Sequence, residues 1–408
     1  MKKVIVVGGG VAGLMAAITA AQNGNDVTVV ERNSRPARKV MITGKGRCNV
    51  TNNCNNDTLI ANTTKNGRFL YSAFSDFSSA DTMAFFESHN VPLKTERGNR
   101  VFPVSDKAVD IVDALVLAAK REKVKIINNR VTEICTADSS VSGVITENGE
   151  KLLCDGVILA TGGKSYPATG STGDGYIMAK KLGHTVTPLI PSLVPVKIKE
   201  GFCTKLMGLS LKNVTLTVFE NDRKKPVFSE FGEMLFTHFG VSGPIVLSAS
   251  AHMRKMDSSS YTMEIDLKPA LSEIQLDKRI QRDFGDNINK DFANSLVKLL
   301  PNKLIPVIVE KSGIKGDIKV NQITAEMRKN LVQILKHFKL TVSGFRDLEE
   351  AIVTSGGISV KEINSSTMES KIINGLFFAG EIIDVDAYTG GFNLQIAFST
   401  GHLAGGHI

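Results

Sequence analysis

The chain has 408 residues, enough for two or three domains with cores of their own, and its 42% hydrophobic and 22% charged content excludes a disordered or fibrous protein. The formal net charge of +8 suits attraction to nucleic acid or to anionic small molecules, but the basic residues are dispersed and read as a solvated surface, so no nucleic-acid partner is expected. Five cysteines without a CxxC pair, seven histidines without HxxxH or HxH spacing and the lack of a long apolar run support no disulfide framework, no metal site and no membrane span.

Lys3 to Glu31 reads KVIVVGGGVAGLMAAITAAQNGNDVTVVE. Two lysines ahead of an apolar stretch imitate an export signal, but the glycines and the acid-ended second strand mark a retained βαβ unit, which implies a cytoplasmic protein. The run Val4 to Val7 enters a turn with Gly8, Gly10 and Gly13 at GxGxxG spacing. Gly8 permits the turn, Gly10 lets the backbone approach a pyrophosphate, and Gly13 lets the helix pack on the strand. The N–H groups of Val11 and Ala12 at the helix start meet the anion. A second run, Val27 to Val30, ends on Glu31, placed for ribose hydroxyls, with Arg32 beside it.

A polar loop, residues 35–56, follows, with Lys39 in its basic part. The pattern then predicts a helix around residues 82–87, a helix over 108–120, a strand over 124–134 and a hairpin through Asn148-Gly149. Residues 156–160 read as a buried strand running into Ala160-Thr161-Gly162-Gly163, whose small residues let the chain pass close to a ligand. From about Pro188 to Gly344 the character changes. Strands are predicted over 194–198, 214–219, 234–237 and 261–267, and helices over 272–284, 290–300 and 325–338. This predicts an insertion in a discontinuous α/β nucleotide-binding fold that the C-terminus completes with a helix over 394–404.

Two further segments are expected at the nucleotide. In GLFFAGEIIDVDAYTGGFN, residues 375–393, a strand meets Gly380-Glu381, and a turn at Gly390-Gly391 starts the last helix. The first N–H groups of that helix, at Phe392 to Leu394, aim its positive end at partial negative charge, such as N1 and O2 of a reduced flavin. In RKVMITGKGRCNVTN, residues 38–52, cations and the Gly44-x-Gly46 turn suit a loop over a diphosphate or ribityl chain. Arg47 is expected to pair with a phosphate and Asn49 to bond a ring edge. Cys48 is a redox or structural thiol, the structural reading being preferred for want of a second cysteine at CxxC spacing.

Four motifs, VIVVGGGVAGLMAA, ITGKGRCNVTN, GEMLFTHFGVSGP and MESKIINGLFFAGEIIDVDAYTGGFNLQIAFSTG, resemble the HI0933-like flavoproteins, also called BaiN-like or aminoacetone-oxidase-like, within the two-dinucleotide-binding-domain group. The resemblance implies non-covalent FAD and a Rossmann-like, glutathione-reductase-like FAD domain (1–190 plus 345–408). It also implies a β-barrel-like insert (191–270 plus 318–344) and a small helical subdomain (271–317). Carried over by position, Gly8, Gly10 and Gly13 hold the diphosphate, Glu31 the ribose and the main chain of Val131 the adenine. Gly380 and Glu381 meet the ribityl and diphosphate, and Gly391, Phe392, Asn393 and Leu394 the isoalloxazine. Lys45 and Ala387 depart from the glycines usual in the family.

The expected activity is hydride transfer through flavin N5, with NAD(P)H or another source as electron donor; a nicotinamide would bind transiently, since no second GxGxxG follows a strand. The substrate is expected to be a C=C conjugated to a ketone, as in steroid or bile-acid enones. Oxidation of a small amine such as aminoacetone is the alternative, set back by the absence of Trp and the presence of only five Tyr. A flavoprotein acting on RNA and a non-catalytic redox sensor are further alternatives. His238 and Tyr388 are candidate proton donors, and Thr237 and Ser242 candidate substrate contacts.

Overall fold

The computed structural model describes every residue except Asp222, and Lys45 in its main chain only. The chain forms two compact units, residues 1–192 with 347–408, and residues 193–346.

The first unit is built on five parallel strands in the order Leu376–Phe378, Gly156–Leu159, Lys3–Val7, Asp26–Glu31 and Lys125–Asn128. The apolar residues of Leu376–Phe378, Gly156–Leu159, Lys3–Val7 and Asp26–Glu31 are buried, as covered parallel strands require, while Ile126 and Ile127 on the edge strand Lys125–Asn128 are half-buried. Val7 lies opposite both Leu159 and Val30, so three strands end level at one sheet edge. The helix Val11–Gln22 is buried without a break from Val11 to Ala20. It packs on the sheet and on the last helix, Phe392–His407. Gly401 and Gly405 make the second contact: a Cβ at either would sit 2.4 Å from the carbonyl oxygen of Ala12 or Ala16.

Three features of this unit differ from the sequence reading. The single strand expected over 124–134 is two, Lys125–Asn128 in the parallel sheet and Val131–Ala137 in an antiparallel meander with Ser140–Thr146 and Lys151–Leu153. The break has a local cause, since Asn128 Nδ2 turns back to the carbonyls of Glu31 and Arg32 at 3.0 and 3.1 Å. The polar loop contains a 3-10 turn, Val40–Gly46, and a short strand, Thr51–Asn52, paired with Arg100–Pro103. The last helix starts two residues earlier than expected, at Phe392.

The second unit is a closed six-stranded barrel in the order Val196–Ile198, Gly240–Ser242, Phe228–Thr237, Ser210–Glu220, Tyr261–Asp266, Phe338–Phe345. Inward and outward residues alternate along Val214–Glu220. The helices Glu273–Gly285, Ile305–Ser312 and Ala325–Lys336 share one apolar core with the barrel, so residues 271–317, expected as a subdomain, are continuous with it. The helix expected over 290–300 shrinks to Phe292–Ser295 and a 3-10 turn ahead of Pro301, because the residue before a proline is pushed out of helical geometry. Phe338, read as a helix end, opens a barrel strand. Among the described residues no helix is long and apolar enough to cross a membrane.

Candidate functional site

A cleft opens in the first unit where strand ends and helix starts converge. Gly8, Gly10, Val11, Ala12, Glu31, Arg32, Lys39, Val131, Ala160, Thr161, Gly162, Gly380, Glu381, Asn393 and Leu394 all border it. They come from six separate stretches of sequence, brought together by the sheet order.

The glycine turn is built for close approach. A Cβ on Gly13 would lie 1.9 Å from Gly8 O, so the helix can meet the strand only through glycine. Gly10 differs: a Cβ there would meet no atom within 4 Å, and its absence keeps that part of the cleft clear for a ligand. The first helical bond runs from Leu14 N–H to Gly10 O at 2.9 Å, which leaves the earlier N–H groups at the helix start for an anion.

Glu31 is 7% exposed. Its Oε2 accepts from Gly9 N–H at 2.7 Å, and its Oε1 from both the main-chain and side-chain nitrogens of Asn33 at 2.7 Å. A carboxylate has about four acceptor positions, so one on Oε2 remains for a ribose hydroxyl. Arg32 reaches Thr172 Oγ1 at 2.7 Å and Asp174 at 3.3 Å, and Arg130 Nε reaches the same carboxylate at 2.8 Å. Burial pushes the Asp174 carboxyl up, but hydrogen bonds from Arg130 and Thr172 hold it below the usual range.

Opposite lies a charged clasp. Lys39 Nζ donates to Ser165 Oγ at 2.7 Å and to Glu381 Oε2 at 2.8 Å, while Glu381 Oε1 accepts from Thr354 N–H at 2.9 Å. Thr161 Oγ1, in the cleft wall, is buried without a hydrogen-bond partner. Such an orphan costs about 1–3 kcal/mol, and this one packs on Gly175, where a Cβ would meet it at 2.1 Å, rather than facing a ligand. The open glycine turn, the free helix start and the remaining Glu31 lone pair fit a dinucleotide such as FAD.

Other expected residues lie elsewhere. Gly391 and Phe392 start the last helix but do not border the cleft. Gly391 is instead packed on the main chain of Thr51, which a Cβ would approach to 2.3 Å. Asn393 accepts from Ala387 N–H at 3.0 Å and donates to the carbonyls of Ala387 and Tyr388 at 2.8 and 3.1 Å, so it fixes the strand ahead of the helix. Gly46, Arg47, Cys48 and Asn49 are also outside the cleft lining. Arg47, expected on a phosphate, is held by Asp106 at 2.6 Å and by Glu96, with its guanidinium 4.1 Å from the Phe102 ring centre. Asn49 Oδ1 is buried without a partner.

Cys48 is fully buried at φ 59°, and burial pushes its thiol up to about 12, which removes the thiolate needed for nucleophilic or redox work. Iodoacetamide at pH 8 is therefore expected to leave Cys48 unlabelled in the folded protein and to label it after denaturation, as read by peptide mass mapping. Labelling of Cys48 without unfolding would refute its structural role.

His238, a candidate proton donor, is exposed in the turn between two barrel strands, with its ring centre 5.0 Å from that of Phe239. Thr237 Oγ1 in the same turn is buried without a partner. Asp386 was not picked out from the sequence. It is 0% exposed, with Oδ1 accepting from Ser355 Oγ at 2.9 Å and Oδ2 from Ser192 Oγ at 2.9 Å and Thr64 Oγ1 at 2.7 Å. Its only sequence signal is an acid inside an apolar run, IIDVDAY.

Fold and cleft define an FAD-binding oxidoreductase of the Rossmann type. The chain belongs to the HI0933-like family, whose Rossmann-domain model matches residues 2–407. It is 30% identical over 409 residues to the 3-dehydro-bile acid delta(4,6)-reductase of Clostridium scindens, covering 99% of this chain and 98% of that protein. It is 32% identical over 403 residues to a ribosomal RNA dihydrouridine synthase of Haemophilus influenzae, covering 98% and 96%. Among solved structures, 3-ketosteroid-delta4-(5alpha)-dehydrogenase of Rhodococcus jostii RHA1 shares the fold, with a TM-score of 0.54 at 15% identity over 100% of this chain and 96% of that one.

Proposed function

We propose that this protein uses FAD to reduce a carbon–carbon double bond conjugated to a carbonyl, and that the bond is C5=C6 of a uracil in RNA. The observation that carries the reaction class is that two full-length relatives bear names describing one chemistry. A Δ4,6 bile acid with a 3-keto group and a uracil both present a C=C polarised by a carbonyl, and dihydrouridine is the saturated uracil nucleoside. Bound FAD supplies hydride transfer at N5. Gly8 to Gly13 and Glu31 anchor its adenosine diphosphate, and the start of the last helix turns positive charge towards the ring. Tyr388, whose main chain Asn393 fixes beside that helix, is assigned as proton donor. NAD(P)H is assigned as donor, binding transiently since the chain's one GxGxxG turn is given to FAD.

Charge distribution favours the RNA substrate over the small-molecule one expected from dispersed basic residues. Residues 193–346 hold 24 Lys and Arg against 16 Asp and Glu, while the rest of the chain holds 25 of each. The whole net charge thus belongs to one unit. A steroid-like enone is the second reading, supported by the 30% identical relative.

The test is anaerobic incubation of the FAD-loaded protein and NADPH or NADH with an unmodified ribosomal RNA transcript or with a 4-en-3-one steroid. Nucleoside mass spectrometry is expected to find dihydrouridine in the RNA. Saturated steroid alone would establish the second reading, and neither product despite flavin reduction would refute the reaction class.

A further inference from the structure

The net positive charge of the unit 193–346 is accompanied by a surface on which cations stand beside rings. The short helix Phe202–Lys205, the His238 turn and the start and end of the helix Ile305–Ser312 meet there. Lys303 Nζ donates to Met207 O at 3.0 Å, and Lys311 Nζ stands 4.9 Å from the Phe202 ring centre. Thr204 Oγ1 donates to His238 O at 3.2 Å, which ties the helix to the turn. Lys205, His238, Lys303 and Lys311 are exposed, and Phe202 is half-buried. Two acids share this surface: Glu310 pairs with Lys205 at 3.5 Å, and Glu200 is bonded to Thr341 N–H and Oγ1. Three lysines around an exposed imidazole and a phenyl ring match what a single-stranded polyanion with stackable bases requires: cations for phosphates and ring faces for bases. A steroid would need an apolar enclosure.

We propose that this surface is where the protein docks RNA, with Lys205, Lys303 and Lys311 on phosphates and His238 and Phe202 against bases. The proposal rests on the uracil reading above, and its test separates the two.

The full-length, FAD-loaded protein is titrated into a fluorescein-labelled, uridine-rich single-stranded RNA oligonucleotide, with anisotropy read across a salt series. The triple variant Lys205→Gln, Lys303→Gln, Lys311→Gln is compared with a charge-matched triple at other exposed lysines of the same unit, Lys278→Gln, Lys290→Gln, Lys329→Gln. The first triple is expected to weaken binding at least tenfold and to flatten the dependence of log K on log salt by about 2, at roughly 0.7 per lost phosphate contact. The second is expected to change binding by less than about threefold, since it removes charge away from the contacts. Flavin absorbance and thermal midpoint check that both variants fold. Equal losses in the two triples, or no loss in the first, would overturn the docking surface while leaving the uracil reading intact. Failure of the unsubstituted protein to bind the oligonucleotide at low salt, and to form dihydrouridine in ribosomal RNA, would overturn both.

Discussion

Gly13→Ala is expected to yield a protein that purifies without FAD and melts well below the unsubstituted one. The added Cβ would lie 1.9 Å from Gly8 O and 3.1 Å from Gly8 C, both main-chain atoms of the turn itself, so no side chain can move aside. Helix and strand must separate, at a cost of about 3 kcal/mol or more by the usual scale of overpacking. Gly10→Ala is the informative partner. Its Cβ would meet no protein atom within 4 Å, so the apoprotein keeps its thermal midpoint, while the methyl group intrudes on the cleft and weakens FAD by at least tenfold. Calorimetry of both apoproteins and titration with FAD check the pair. A Gly10→Ala protein that binds FAD as tightly as the parent would show that the diphosphate does not cross this turn.

The second large effect is expected at Asp386. Its carboxylate gathers hydroxyls from Ser192, Ser355 and Thr64, and Ser192 and Ser355 stand on paired strands, Ile190–Ser192 and Val353–Ser355. Asp386 also lies two residues before Tyr388 and five before Gly391, so the acid sets the path of the chain into the last helix. Asp386→Ala takes the carboxylate from the hydroxyls of Ser192 and Ser355, both at most 3% exposed, at about 1–3 kcal/mol for each left unbonded, while Thr64 Oγ1 keeps the main-chain carbonyl of residue 386 at 2.9 Å. The expected loss is at least about 2 kcal/mol, with a perturbed flavin spectrum in whatever folds. Ser192→Ala removes one donor and leaves the acid with two, for a loss nearer 1 kcal/mol. Chemical denaturation of the three proteins measures the order. Equal stability of Asp386→Ala and parent would remove Asp386 from this account.

The parts of the site legible in the sequence are those whose chemistry is local. Val4 to Glu31 carries strand, turn, helix and acid in one stretch, and its contacts with a ligand follow from spacing alone. The residues misplaced or missed take their roles from distant partners. Lys39 meets Glu381, 342 positions away, and Asp386 binds Ser192 across 194. Arg47 looked free for a phosphate because Glu96 and Asp106, which hold it, come 49 and 59 residues later. His238 was legible as a titratable group, but its exposure depends on a two-residue turn between strands that turns its side chain to solvent. The +8 charge was read as dispersed, although the insertion expected over 191–344 lies within two residues of the unit 193–346 that carries it.

Flavin in this cleft is proposed to deliver hydride to a carbonyl-conjugated C=C. The most direct test is a single turnover in an anaerobic stopped-flow instrument. The FAD-loaded protein is first bleached with one equivalent of NADPH or NADH and then mixed with ribosomal RNA transcript or with the 4-en-3-one steroid. The oxidised-flavin band is expected to return with one of these acceptors, matched mole for mole by a product carrying two added hydrogens. A bleached flavin that stays reduced with both acceptors would contradict this reading of the reaction class.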